Sequence, residues 1–169
     1  SILAYTIPLK SAIRKGDKYL TNVEIQCILD IAINMEKSSM NEFYEALIEL
    51  CEQLEKDDGI FEHIAVWEII MINVSNTYGE MGEFDKSDEI SLNNMKKCVQ
   101  CYRMSTLELN LYYNVWNYEE RKKRNIPVQQ GYQEDMYLKK CITLCQINKN
   151  IAREIRMKER LAKLKLISY

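Results

Sequence analysis

The stretch Asn73-Val74-Ser75-Asn76-Thr77-Tyr78-Gly79-Glu80-Met81-Gly82-Glu83-Phe84-Asp85-Lys86-Ser87 decides the architecture of this chain. Its first half continues an apolar stripe at helical spacing (Ile64, Trp67, Ile70, Met71, Val74, Tyr78), which predicts a helix over about 61–80. Gly82 follows, the residue type that turns a chain at a helix end without a steric penalty. The second half opens another helix, expected to reach Tyr102 and carrying Ile90, Leu92, Met95, Cys98 and Val99. Phe84 packs the start of this second helix against the first, and the small Ser87 lets the two approach closely. Together these features describe a helical hairpin.

The hairpin recurs. Asn114-Val115-Trp116-Asn117 repeats Asn73-Val74-Ser75-Asn76 at an offset of 41 residues, and Ile33-Asn34 stands at the matching place 39 residues before Asn73. Asn41-Glu42-Phe43-Tyr44-Glu45-Ala46 aligns with Gly82-Glu83-Phe84-Asp85-Lys86-Ser87, again offset by 41. Gly131-Tyr132-Gln133-Glu134-Asp135 aligns less well, because the loop holding Pro127 is longer. One hairpin cannot bury its apolar face alone, so repeated hairpins stack. The expectation is a single domain over 1–169 with helix pairs at 22–56, 61–102 and 106–148. An N-terminal helix interrupted at Pro8 precedes them and a capping helix at 150–166 follows. The fold class is all-α: a right-handed superhelical array of antiparallel helix pairs with no β-sheet.

Composition agrees with this reading. Only 5 Gly and 2 Pro accompany 47% apolar and 28% charged residues, which favours long helices over many-turned β structure. A net charge of −2 exerts no overall pull on nucleic acid. No apolar run approaches the ~18 residues that span a bilayer, and no signal peptide opens the chain, so no membrane partner and a cytoplasmic location are expected. The six cysteines (Cys27, Cys51, Cys98, Cys101, Cys141, Cys145) sit inside amphipathic patterns, which predicts buried, reduced thiols. The chain opens on Ser1 and not Met, as expected of the later part of a longer protein.

The repeat resembles the tetratricopeptide repeat (TPR) over about 22–148, best over 68–101. There Tyr78, Gly82, Phe84 and Ser87 fall where a TPR places Tyr, Gly, an aromatic and Ala. The unit is nearer 40 residues than the usual ~34, and the Trp, Leu and Pro of the consensus are mostly absent. More narrowly, residues 73–87 are similar to the sensor domain of bacterial helix-turn-helix transcription regulators of the peptide-pheromone, quorum-sensing type. So is Leu111-Tyr112-Tyr113-Asn114-Val115-Trp116-Asn117-Tyr118-Glu119-Glu120, which follows Cys98-x-x-Cys101-Tyr102-Arg103. The resemblance implies an array that binds a short peptide or other small effector, commonly as a homodimer. DNA is then reached only through an N-terminal domain outside this chain. The alternative is a stand-alone TPR-like scaffold for protein–protein interaction; an upstream helix-turn-helix in the full gene separates the two.

The repeated asparagines are the candidate ligand contacts. Asn is a poor helix-interior residue, because its amide competes with the backbone. An amide both donates and accepts, so Asn34, Asn73, Asn76, Asn114 and Asn117 are expected, with Tyr113, to line a concave groove and grip a peptide main chain. The other reading makes these amides structural, satisfied between helices. Trp67, Tyr78, Tyr112, Trp116 and Tyr118 are read as core or groove aromatics. Cys98-x-x-Cys101 and Cys141-x-x-x-Cys145 lie within helices and not on metal-binding turns, and His63 is the one histidine, so neither metal nor cofactor is expected. No P-loop, dinucleotide fingerprint or G-x-S-x-G is present, so no enzyme is expected. The last helix carries Lys149, Arg153, Arg156, Lys158, Arg160, Lys163 and Lys165 against Glu154 and Glu159, which suits a solvated cap or a dimer contact.

Overall fold

A computed structural model describes residues 37–58, 60–128 and 133–167, with Ser11, Lys15, Val23 and Cys27 as single positions. The described residues form six helices and no strand, an all-α arrangement. In chain order they are α1 (Lys37–Asp58), α2 (Ile60–Glu80), α3 (Phe84–Gln100), α4 (Met104–Lys123), α5 (Glu134–Ile147) and α6 (Ile151–Ile167). The expected N-terminal helix and the first helix of the 22–56 pair, with Asn34, lie outside the described residues. The helices from α2 onward fall within three residues of the boundaries expected from the sequence, and α1 runs through Ser38 and Ser39 from Lys37 to Asp58. Serines in a first helical turn extend the helix at little cost when the apolar stripe beyond them is buried.

Four helices end on the same device. Gly82, Tyr102, Asn125 and Lys149 each take a left-handed conformation, with φ of 81°, 55°, 53° and 56°. In each case the next residue's N–H reaches back to a carbonyl one turn inside the helix: Glu83 to Tyr78 at 2.9 Å, Arg103 to Cys98 at 2.8 Å, Ile126 to Arg121 at 2.9 Å and Asn150 to Cys145 at 2.8 Å. This is the Schellman cap, which satisfies carbonyls that a helix end otherwise leaves unpaired. At three of the four, the residue after the left-handed one is also the start of the next helix. Glu83, Arg103 and Asn150 accept from Ser87, Leu107 and Glu154. One pair of residues therefore stops one helix and starts another. The α4–α5 connection is longer, and there the buried Arg121 donates to the Pro127 carbonyl at 3.1 Å.

The chain divides into two compact units, residues 1–90 and 91–169, the boundary falling inside α3. In the first, Met40, Phe43, Leu47 and Leu50 of α1 follow helical spacing and pack with Ile70, Met71, Val74 and Tyr78 of α2 and Ile90 of α3. In the second, α5 packs against both α4 and α6. Its core joins Leu111 and Val115 of α4 to Leu138, Cys141 and Cys145 of α5 and Met157 of α6. Burying one such Leu, Ile or Met side chain contributes roughly 1.5–3 kcal/mol. Cys98, Cys141 and Cys145 are buried free thiols, as expected, and Cys101 is half-buried. Cys27 is exposed, contrary to the sequence reading, because helical spacing identifies a stripe without fixing which of its members meets the core.

Candidate functional site

The first unit holds a half-open pocket of about 300 Å³ lined by Asn41, Tyr44, Glu45, Tyr78, Glu83 and Lys86. Its walls come from the two aligned repeat segments. Asn41, Tyr44 and Glu45 share one face near the start of α1, being three and four residues apart. Glu83 belongs to the α2–α3 cap, and Lys86 to the first turn of α3. Tyr78 joins the two: its carbonyl accepts the cap hydrogen bond from Glu83, and its hydroxyl donates to Asn41 Oδ1 at 2.8 Å.

The floor of the pocket is aromatic. Tyr44 and Tyr78 meet edge to face, with centroids 6.0 Å apart and ring planes at 88°. Lys86 Nζ lies 4.9 Å from the Tyr44 centroid and 3.3 Å from Glu89 Oε2. Burial pushes the Tyr78 phenol well above its ordinary range, and Tyr44 with the carboxylates of Glu45, Glu83 and Glu89 pushes it the same way. The phenol therefore stays protonated; it is a fixed donor to Asn41 and not a base. One opening thus presents an ammonium, two carboxylates, an amide and an aromatic face. Such a set suits a small ligand bearing both charge signs, such as a short zwitterionic peptide.

The second unit contains a buried polar clasp. Glu108 of α4 accepts from Asn148 Nδ2, Asn150 Nδ2 and Arg153 Nη1, all at 2.7 Å. Its side chain is 3% exposed and that of Arg153 19%. The Arg153 guanidinium also lies 4.6 Å from the centroid of Tyr112. Burial alone raises the Glu108 carboxyl, but the three hydrogen bonds and the Arg153 charge outweigh it and hold the group below the usual carboxylate value. Beside it, burial pushes the Cys145 thiol up to about 12, with Cys141 and Glu108 adding to the effect, and burial likewise raises Cys141. Burial thus favours the neutral thiol at both positions.

The repeated asparagines occupy different environments. Asn114 is 7% exposed, and its Nδ2 donates to Ser91 Oγ at 2.9 Å and to the Asn110 carbonyl at 3.0 Å. It belongs to a buried seam between α3 and α4 in which Asn110 Oδ1 also accepts from Ser91 and Asn94. Asn117 is 2% exposed. Asn73 and Asn76 on α2 are half-buried, as is Tyr113, whose ring meets Tyr112 at 5.9 Å. Val74 and Val115, next to Asn73 and Asn114, are both fully buried.

Sequence reasoning did not single out Asn41, Tyr44, Glu45, Glu83 and Lys86 as a site, although they lie in the segments it aligned. Nor did it single out Glu108. The pocket's signal was the alignment of the two segments that line it; the clasp left none, because its members lie 40 to 45 residues apart. Among the described residues no group of three or more His, Cys, Asp or Glu side chains is assembled that could hold a metal ion, and no helix is long and apolar enough to cross a membrane. Compared with known protein families, with curated proteins and with solved structures, the chain matches none.

Proposed function

We propose that this chain is the effector-sensing and dimerisation domain of a cytoplasmic bacterial transcription regulator. On this reading its hairpins form a TPR-like right-handed array, and it binds rather than catalyses. A short peptide or other small effector is the ligand, and DNA is reached only through a domain outside this chain. The observation that carries the reading is the pocket of the first unit, where two repeat segments and Tyr78 bring Lys86, Glu45, Glu83, Asn41 and Tyr44 around one opening. Lys86 is placed to take a carboxylate, and Glu45 with Glu83 an ammonium. Asn73 and Asn76, half-buried in the same unit, are the proposed contacts to an effector's main chain; Tyr113 is their candidate counterpart in the second unit. Asn114 already uses its amide N–H groups on Ser91 and Asn110.

Native mass spectrometry of the protein purified from a bacterial host tests this. The expected result is a peptide-sized adduct on the wild-type chain that is lost in Lys86→Glu while helical circular dichroism is unchanged. A clean chain mass in both proteins overturns the sensor reading and leaves the scaffold.

A further inference from the structure

We propose that the pocket of the first unit takes a net-cationic peptide of two or three residues, with both termini free and one Lys or Arg side chain. The proposal rests on the sensor reading above and deepens it by naming the charge and the length of the effector.

Charge balance decides the sign. Residues 37–90 hold 14 Asp and Glu against 3 Lys and Arg, a net charge of −11. Lys86 is the only Lys or Arg between Lys56 and Lys96. At physiological salt exposed charges act over about 8 Å, so nearby carboxylates dominate the potential at the opening. Three of them, Glu45, Glu83 and Glu89, act on Tyr78, whose phenol is raised first by burial, then by Tyr44, then by these. The lining itself carries two carboxylates, Glu45 and Glu83, against the one ammonium of Lys86. A ligand that neutralises it brings two cations and one carboxylate. An amino terminus, a basic side chain and a carboxyl terminus supply that set. With termini alone, one carboxylate of the lining stays unmatched.

Geometry assigns the partners and the length. Lys86 Nζ lies 3.3 Å from Glu89 Oε2, with the two side chains 36% and 58% exposed. An ion pair so open to water is weak, so a ligand carboxylate replaces Glu89 at little cost. Asn41 Oδ1 accepts from the Tyr78 hydroxyl at 2.8 Å, which orients the amide and makes its Nδ2 the donor offered to the same opening. Lys86 and Asn41 therefore suit the carboxyl terminus, and Glu45 and Glu83 the two cations. An extended chain gains roughly 3.5 Å per residue, so the termini of a two- or three-residue peptide stand about 7–10 Å apart and those of a six-residue peptide about 20 Å. A space of about 300 Å³ holds both charged ends of the shorter ligand and not of the longer one.

Calorimetric titration of the full chain with four dipeptides tests this: lysyl-alanine, its carboxyl-terminal amide, alanyl-alanine and glutamyl-alanine. Lysyl-alanine is expected to bind about fivefold more tightly than alanyl-alanine, and glutamyl-alanine about fivefold less tightly. The amide is expected to lose about fivefold against the free acid. Glu45→Gln should remove the preference for lysyl-alanine over alanyl-alanine and keep that for acid over amide. Lys86→Ala should do the reverse. Glu45 is exposed and the Lys86 side chain 36% exposed, so helical circular dichroism is expected to hold in both variants. Glutamyl-alanine binding as tightly as lysyl-alanine, an amide binding as well as the acid, or no heat from any of the four would overturn the proposal. The peptide-sized adduct on the purified chain tests the sensor reading separately. Its presence beside any of those failures refutes only the ligand assigned here. Selective binding of lysyl-alanine by a chain that carries no adduct keeps this ligand class and removes the sensor reading.

Discussion

The α2–α3 seam of the first unit and the α3–α4 seam of the second solve one packing problem with different chemistry. In the first, Ser75 Oγ donates to the Ser87 carbonyl at 2.8 Å and lies 3.2 Å from the Ser87 hydroxyl. Two small residues let the helices close. In the second, Ser91, Asn94, Asn110 and Asn114 form a connected group of amides and a hydroxyl, all buried. A hydroxyl that loses its partner leaves one unsatisfied group, whereas an amide removed from a network leaves several. The serine seam is therefore forgiving and the asparagine seam is not. The Glu108 clasp makes the second unit still more dependent on polar completeness.

The largest effect is expected at that clasp. Glu108→Ala removes one partner of a buried ion pair and takes an acceptor from Asn148, Asn150 and Arg153, at a cost of about 3 kcal/mol in chemical denaturation. The same group makes the second unit acid-sensitive. Its folded pKa lies below the ordinary 4.5, so its stabilisation is present above about pH 4.5 and is lost as pH falls through the folded value. Glu108→Gln should remove that acid dependence; an unchanged acid transition would place the sensitivity elsewhere.

A smaller, sharper test sets the seams side by side. Asn114→Ala is expected to cost about 2 kcal/mol and Ser75→Ala about 1 kcal/mol, measured by urea denaturation. Equal costs would break the contrast between the units, and would mean that Ser91 and Asn110 find new partners when Asn114 is lost.

The smallest effect is a gain. Lys149 and Tyr102 hold left-handed backbone that costs a side-chain-bearing residue about 1 kcal/mol relative to glycine. Lys149→Gly should raise stability by about 0.5 kcal/mol, because glycine's greater freedom in the unfolded chain offsets part of the relief. Gly82→Ala should do the opposite. A loss on Lys149→Gly would show that the lysine stem contributes packing that outweighs its backbone strain.

These sites also show what was legible beforehand. The α2–α3 hairpin was readable from residues 73–87, because glycine announces a left-handed stop and Tyr78, Phe84 and Ser87 are large or small in the right order. The α3 and α5 stops were not announced, since Tyr102 and Lys149 carry no such signature; only the end of the apolar stripe marked them. The repeated asparagines were visible as a pattern, but their environments were not. Spacing tells which residues share a helix face, and only packing tells what that face meets. The bond from Tyr78 to Asn41, and those from Glu108 to Asn148 and Asn150, join residues too far apart in the chain for spacing to pair them.

The shared caps bear on how the chain acquires its shape in time. At Gly82-Glu83, Tyr102-Arg103 and Lys149-Asn150, the hydrogen bonds that reverse the chain are all closed within six residues or fewer. Such contacts form without waiting for distant segments to meet, and chains rich in them fold quickly because little loop entropy is lost before contacts begin to repay it. The slow events are then the long-range ones, above all closure of the Glu108 clasp across some forty residues. Substitutions at the caps should act mainly on the first stage of folding, and substitutions at the clasp on how long the finished unit lasts.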